Sequence, residues 1–303
     1  MALESQAPHW EWYYIAMYFF IGGVSAGAYF IGSLIELLGY EKHRDVSKAA
    51  YTIAFPLICI TPVLLIADLG RPERFWHLFF SNGPNAPYAN HTSPLSVGTW
   101  ALLVYSGMAF LSFLNVLVED GRLASPALKK AHELFSRIPH RVYAAIGSFF
   151  GFFVAGYTGV LLNTTARPLW ASMDPWIGSL FIVSGASTGA AAVALVMERR
   201  RILSADAARS LQAFEQPVMI AELGIIIVML ALTGRYAAPL VTGLYGVLFL
   251  GGAVVLGILV PLGRQLTRGM LPAEGSSGVA LTSALVLAGS AFLRIALVQA
   301  GQR

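Results

Sequence analysis

Residues 13–38 read YYIAMYFFIGGVSAGAYFIGSLIELL, and this stretch decides the fold class. Its first charged side chain is Glu36, so the apolar run is long enough for a helix to cross a bilayer, which takes about 20 residues. A cleaved signal peptide has a shorter apolar core and a basic segment in front of it, whereas Glu4 and Glu11 precede this run. We therefore expect a membrane span.

The whole chain has the composition of a membrane protein. Of its 303 residues, 56% are hydrophobic and 12% are charged, whereas soluble domains carry about 25% charged residues. The 18 Phe, six Trp and 30 Gly suit aromatic belts at the interfaces and close contacts between helices. This composition excludes a soluble globular domain and a disordered chain, and the net charge of +4 does not indicate nucleic-acid binding.

Apolar runs predict an all-α integral membrane protein with eight spanning helices. The sixth span is the shortest, because Pro217 precedes it and Pro239 follows it closely. No soluble domain is left over, so we expect one membrane domain over residues 1–303. The predicted spans are 13–38, 49–67, 97–118, 141–163, 176–197, 218–234, 240–262 and 278–298.

The Lys and Arg residues predict the orientation of these spans. The loops after odd-numbered spans hold fourteen basic residues, and the opposite side, including both termini, holds five. Because basic loops stay inside, both termini are expected to be periplasmic. The loops expected in the cytoplasm are 39–48, 119–141, 198–216 and 263–277.

Polar and aromatic loops are concentrated on the predicted outer side. The loop from Asp68 to Ser96 has nearly 30 residues, while most connections have about four to six, so we expect it to have a function. The PNAP stretch at 84–87 favours turns rather than a small domain. A second outer loop, residues 163–170, has a similar composition.

The sequence predicts neither haem nor a metal site in this protein. Cys59 is the only cysteine, whereas iron–sulfur clusters take about four thiolates. All six His fall in loops or at span edges, while b-type haem needs pairs of His inside helices. Zinc-ligand spacing and nucleotide-binding glycine motifs are also missing. Any redox centre is therefore a bound small molecule or belongs to a partner.

Four ionisable residues fall at membrane depth, where an unpaired charge is costly. Asp68 ends the second span on the outer side, Glu36 lies near the inner end of the first, Glu222 lies in the sixth and Arg294 in the eighth. We expect Glu36 to reach the interface. For Glu222 and Arg294, structural pairing and function stay open as alternatives, and Arg294 could also snorkel towards the outer surface. Glu36, Glu222 and Arg294 are candidates for a proton path because of their depth.

A set of motifs distributed along the sequence resembles the NrfD/PsrC family, which contains the membrane subunits of polysulfide reductase and related respiratory molybdoenzymes. In sequence order, the motifs are Trp10-Glu11-Trp12, Phe19-Phe20-Ile21-Gly22-Gly23, Ala26-Gly27, Asp68-Leu69-Gly70-Arg71-Pro72-Glu73-Arg74-Phe75, Ser93-Pro94, Gly98-Thr99-Trp100, Gly156-Tyr157-Thr158-Gly159, Arg167-Pro168-Leu169-Trp170 and Gly289 to Arg294.

The resemblance implies a haem-free anchor that reacts with menaquinone or ubiquinone in the bacterial inner membrane. It implies two four-helix bundles, with the quinone in the first, over residues 1–170, and a second bundle over 171–303. The implied partners are a four-cluster iron–sulfur subunit and a molybdopterin catalytic subunit on the periplasmic side. This protein would exchange electrons with the quinone pool and would not act on the terminal substrate by itself.

The resemblance also implies catalytic residues. Tyr157 is expected to hydrogen-bond one quinone carbonyl, and Asp68 is expected to accept or relay the proton. The family pattern places Asn and His near the outer end of the first span, where this sequence has Tyr14 and Tyr18.

Further contacts to the quinone are expected from the outer loops. Arg71, His77 and Arg167 belong to the same predicted surface, where an Arg side chain could stabilise developing negative charge on the headgroup. The alternative for residues 71–73 is a salt-bridged lid over the loop.

Two other functions stay open. An ion-coupled transporter needs a broken helix, which Pro56 and Pro62 could provide in the second span, although polar residues collect at one face rather than at mid-membrane. A passive anchor would tether a reductase without any quinone chemistry.

Overall fold

The computed structural model describes residues 12–82, 87–89, 93–122, 125–135, 137–165, 167–267 and 276–303. Eight of its helices are long and apolar enough to cross a membrane, which confirms the predicted number. We number them α1 to α8. They are Tyr13–Leu38, Glu41–Ala67, Pro94–Glu119, His140–Asn163, Trp176–Arg199, Ala205–Val241, Gly243–Thr267 and Gly278–Ala300.

Four of the eight helices combine segments of different winding. In α1 a π-helical turn, Trp12–Ala16, leads into the α-helix Met17–Leu38, and in α2 the turn Glu41–His43 leads into Arg44–Ala67. The α-helix Ala205–Thr233 forms most of α6. Helix α6 then continues through the short segments Gly234–Ala237 and Ala238–Val241. Helix α7 consists of Gly243–Gly246, the π-helix Val247–Leu259 and Val260–Thr267. The helical segment that contains α8 begins at Ser276.

Short elements occupy the connections. The loop after α2 contains a 3₁₀ helix, Pro72–Leu78, and a two-stranded antiparallel hairpin of Phe80–Asn82 with Pro87–Ala89. Most of the predicted turn at 84–87 lies outside the described residues. The predicted loop 119–141 contains the helix Pro126–Phe135, and Pro168–Ala171 forms one turn before α5.

The prediction for the sixth span was wrong in length. It was expected over 218–234 as the shortest span, but α6 covers 37 residues and is the longest. Pro217 lies inside the helix instead of before it, because neighbouring groups in a membrane protein can satisfy the backbone that a proline frees. Ser204 caps the new start, accepting a bond of 3.1 Å from the Ala207 N–H. The predicted loop 198–216 shrinks to residues 200–204.

The second span is also continuous. Pro56 and Pro62 both lie within the single helix Arg44–Ala67. The interrupted helix on which the transporter interpretation depended is therefore not present in this span.

Helices α1 and α5 form the centre of the molecule. Helix α1 packs against α2, α4 and α5, while α5 also packs against α4, α6 and α8. Helix α3 lies against α2 and α4, and α7 lies against α8. Helices α1 and α5 are the most buried of the eight spans. In each of them, 78% of an apolar stretch of 18 residues is buried inside the protein.

Glycines allow α1 and α5 to approach this closely. A Cβ atom added to Gly27 would lie 2.7 Å from the carbonyl carbon of Gly185 and 3.1 Å from the Cα of Gly189. A Cβ atom on Gly185 would lie 3.2 Å from the carbonyl oxygen of Gly23. The structure thus confirms that these glycines serve close helix packing.

The two ends of the helix bundle differ in charge. One end holds the connections that contain most of the Lys and Arg residues, so we call it the basic end. There Lys42 pairs with Asp206 at 3.5 Å and Arg44 pairs with Glu119 at 2.5 Å. The other end carries the long connection between α2 and α3 together with the C-terminus, and we call it the loop end.

Candidate functional site

Tyr157 lies near the loop end of α4, and its side chain is 7% exposed. Its ring packs directly against Gly98 of α3, where any side chain would collide with it. The Tyr157 hydroxyl donates to the Leu95 carbonyl at 3.4 Å, which is long for an O–H···O bond. Tyr157 is thus held by its ring, while its hydroxyl keeps the capacity to donate to a ligand.

The loop after α2 is fastened to the same turn of α3. The Phe79 carbonyl accepts bonds from the Trp100 indole N–H at 3.2 Å and from the Ser96 hydroxyl at 3.4 Å. The Phe79 and Trp100 rings also meet edge to face at 5.3 Å. The start of α3 therefore connects the loop to the helix turn that receives Tyr157.

Helix α1 contributes two tyrosines at this end. Tyr18 is 2% exposed and lies close enough to Tyr157 for the two phenols to interact electrostatically. Tyr14 is half-buried and meets the ring of Tyr13 edge to face at 4.6 Å. The structure thus brings together Tyr18 and Tyr157, two predicted contacts that are far apart in the sequence.

The remaining predicted contacts lie around the loop. Asp68 caps the end of α2 and is half-buried. Arg71 is exposed at the start of the helix Pro72–Leu78, and His77 stacks on Trp76 with ring centroids 3.6 Å apart. These side chains share the loop-end surface, as predicted.

Arg167 lies against the last helix. Its guanidinium donates to the Gln302 carbonyl at 3.4 Å, and the neighbouring Trp170 donates from its indole to the Leu297 carbonyl at 2.8 Å. The motif Arg167-Pro168-Leu169-Trp170 therefore joins the connection between α4 and α5 to the end of α8. Trp10 and Glu11, from the first motif, lie outside the described residues.

Arg294 does not snorkel. It is 1% exposed, and its guanidinium bridges three helices. It donates to the Phe19 carbonyl of α1 and the Ser184 hydroxyl of α5, both at 3.2 Å, and to Ser290 of its own helix. The guanidinium also lies 5.1 Å from the centre of the Phe181 ring.

Glu222 faces this guanidinium from α6. Its side chain is 5% exposed, hydrogen-bonds with Ser184 and interacts electrostatically with Arg294. A cavity of about 10 Å³ borders Glu222, Thr188 and Ser290, which is near the lower limit for one water molecule. Ser184 thus connects Glu222 and Arg294 inside the helix bundle.

We expect Arg294→Met to destabilise the protein by about 3–5 kcal/mol, because it leaves Glu222 buried without its cation. The measurement is the thermal unfolding midpoint of the purified complex in detergent. Arg294→Lys, which keeps the charge but not the planar fork, should fall between wild type and Arg294→Met. An Arg294→Met protein as stable as wild type would contradict the structural importance of the pair.

Glu36 belongs to a different group, at the basic end. It accepts bonds from Arg44 and, at 2.9 Å, from the Tyr51 hydroxyl. Arg44 also pairs with Glu119. The next residue, Asp120, accepts a hydrogen bond from Lys48, which lowers the pKa of the Asp120 carboxyl below its usual range. Glu36 is therefore paired at the end of its helix, and the structure does not group it with Glu222 and Arg294.

A second buried carboxylate in α6 was missed from the sequence. Glu215 is 8% exposed and accepts a bond of 2.6 Å from the Gln265 amide of α7. A cavity of about 20 Å³ borders both side chains and Thr282 of α8. Glu215 and Glu222 are seven residues apart, about two helical turns, and so share a face. That spacing would have revealed the pair had residue 215 not been assigned to a loop.

The described residues contain no group of three or more His, Cys, Asp or Glu that could hold a metal ion. The predicted site residues at the loop end have Tyr, Arg, His and Asp side chains. Such groups can donate and accept hydrogen bonds and move protons at an organic ligand.

Comparison with known proteins identifies the family to which this protein belongs. The family model described as "Polysulphide reductase, NrfD" matches residues 3–303. The C subunit of polysulfide reductase from Wolinella succinogenes is 29% identical over 322 residues, covering 97% of this protein and 94% of the relative. The protein NrfD homolog of Haemophilus influenzae is 27% identical, covering 97% and 95%.

A third relative is more distant. The integral membrane subunit of menaquinone reductase of Nitratidesulfovibrio vulgaris is 24% identical over 184 residues, which cover 57% of this protein and 41% of the relative. The Wolinella and Nitratidesulfovibrio relatives are both named as subunits of reductases, and the second is named as an integral membrane subunit. Because the family model matches almost the whole sequence, this protein belongs to the NrfD polysulphide reductase family.

Proposed function

We propose that this protein is the quinone-reactive membrane subunit of a respiratory molybdoenzyme complex. It exchanges electrons between menaquinone or ubiquinone, bound at the loop end, and an iron–sulfur subunit that covers this end. The observation that carries the proposal is the environment of Tyr157 in a protein of this family. Helices α3 and α4 hold the Tyr157 ring in place, while its hydroxyl makes only a long hydrogen bond.

The loop-end residues suit a quinone headgroup. A quinol supplies two electrons and two protons when it is oxidised. Tyr157 donates a hydrogen bond to one headgroup oxygen and fixes the position of the ring, with Tyr18 beside it. Asp68, at the end of α2, accepts the two protons in succession and passes each to the surface, while the two electrons go to the iron–sulfur subunit. Positive charge and further hydrogen bonds at the loop end come from Arg71, His77, Tyr14 and Arg167.

The arrangement of the complex follows from the same end. We propose that α1 to α4 and α5 to α8 form two four-helix bundles in a bacterial inner membrane, with both termini periplasmic. A four-cluster iron–sulfur subunit and a molybdopterin subunit then dock on the periplasmic side. The helix contacts within each set of four and the excess of basic residues at the opposite end support this arrangement.

The orientation predicts the behaviour of reporter fusions. Alkaline phosphatase, which is active only in the periplasm, should be active when fused after Arg303 and inactive when fused in the 200–204 turn. The reverse pattern would contradict the proposed topology.

We also propose that α5 to α8 carry protons along Glu215, Glu222 and Arg294. Glu215 and Glu222 each border a small polar cavity, and Glu36 supplies a separate carboxylate at the basic end.

We expect Glu222→Gln to reduce the membrane-potential signal per quinol oxidised to background, while quinol oxidation continues. Glu222→Asp, which keeps the carboxyl, should retain part of the signal. Unchanged turnover and unchanged potential in Glu222→Gln would remove Glu222 from the proposal.

The proposed function is tested by quinol-analogue oxidation in the purified complex, with and without a headgroup inhibitor. We expect activity that the inhibitor abolishes. A complex that assembles fully but oxidises no quinol would instead indicate a passive anchor.

A further inference from the structure

A groove of about 400 Å³ lies at the basic end, between the last turns of α1 and the first turns of α6. We call it the basic-end groove. Its walls are mainly apolar and include Leu34 and Leu38 from α1 and Leu211 and Phe214 from α6. Leu38 is 55% exposed, so this wall is open at the side of the helix bundle. Surfaces of this kind fit hydrocarbon chains rather than a small polar ligand.

Charged side chains form the rim of the groove. Asp206 lies 3.5 Å from Lys42 and 3.5 Å from Arg209, and 4.0 Å from the His43 ring. The Asp206 carboxylate thus pairs with two basic side chains, so this group of three has one more positive than negative charge. The Lys42 and Arg209 side chains are 66% and 77% exposed, so both can turn towards a ligand.

The rim lies at the ends of two helices. Helix α1 ends at Leu38 and α6 begins at Ala205, next to the rim. The positive N-terminal end of the long α6 dipole adds to the field there. The groove is therefore charged at the helix ends and apolar along the helices, which is the polarity of a phospholipid.

We propose that the basic-end groove binds an anionic phospholipid, with its phosphate between Lys42 and Arg209 and an acyl tail along Leu34, Leu211 and Phe214. A zwitterionic lipid would bring its own ammonium group next to these cations and bind less tightly. The proposal does not depend on quinone exchange, because the groove lies at the opposite end of the helices from Tyr157.

The test uses the intact complex, purified in detergent and stripped of lipid. Phosphatidylglycerol, cardiolipin or phosphatidylcholine is added back, and retained lipid is counted by native mass spectrometry. We expect retention of the two anionic lipids and not of phosphatidylcholine. The double variant Lys42→Gln with Arg209→Gln should weaken this binding about 30-fold, as expected for removing two charges at a membrane surface.

The matched control is Lys129→Gln with Lys130→Gln, which removes two exposed charges from the same end but away from the groove. It should bind lipid like wild type. A second variant, Ala213→Trp, fills the groove and keeps the charges, so it should also lose the lipid. It replaces the double variant in the test if that variant does not fold. Equal binding of phosphatidylcholine, equal loss in the control, or a quinone in place of the phospholipid would overturn the proposal.

Discussion

Tyr157→Phe should lower quinol-dependent turnover of the assembled complex by about 100-fold, the lower range for losing one positioned hydrogen-bond donor at a developing charge. The ring should stay in place, because it packs against Gly98 and stacks on Phe153 with centroids 6.3 Å apart. Only the hydroxyl is lost, so assembly with the partner subunits should be unchanged. The measurement is quinol-analogue oxidation by purified complexes of equal subunit content.

Tyr105→Phe is the matched control. Tyr105 is fully buried in α3, and its hydroxyl bonds to Ser25 at 2.9 Å, within the first four helices. Removing that hydroxyl costs about 1 kcal/mol of stability and should leave quinol oxidation near wild type. If both variants lost turnover equally, the effect of Tyr157→Phe would be one of general packing.

Gly27→Val should destabilise the protein by about 3 kcal/mol or more, which is the upper range for overpacking. The added atoms would meet the backbone of Gly185 and Gly189, and a backbone cannot rotate aside as a side chain can. Helices α1 and α5 would have to separate, and most other helices pack against one of these two. The thermal unfolding midpoint in detergent and the yield of assembled complex measure this effect.

Gly224→Val provides the comparison for Gly27→Val. Gly224 lies in α6, and among the described residues no neighbouring helix comes within 4 Å of a Cβ added there. The same substitution should therefore leave the unfolding midpoint near wild type. Equal losses at both positions would show that the change in helix propensity, rather than the contact between α1 and α5, causes the effect.

The sequence predicts the spanning helices well where apolarity alone determines them. Predicted bounds such as 13–38 agree with the structure because few charges fall inside them. The prediction fails at α6, where polar residues 205–216 continue the helix beyond its apolar part. Two features explain why this helix is longer than predicted. Ser204 caps its start, and the membrane helix accommodates Pro217 without ending.

The candidate site was predictable only in part. Tyr157 and Asp68 follow from motifs, but the glycine against which Tyr157 packs lies in another helix. Arg294 is 72 positions from Glu222 in the sequence, and only the packing of α5, α6 and α8 brings them together. Pairings of this kind depend on helix contacts that no local pattern specifies.

Photoaffinity labelling with an azido-quinone tests the central claim most directly. The intact complex is labelled in its membrane, with and without excess unlabelled quinone, and the modified peptides are mapped by mass spectrometry. We predict competed labelling at the loop end, in residues 14–20, 94–100 and 153–163. Competed labelling confined to the basic end, in residues 31–46 and 207–214, would contradict it.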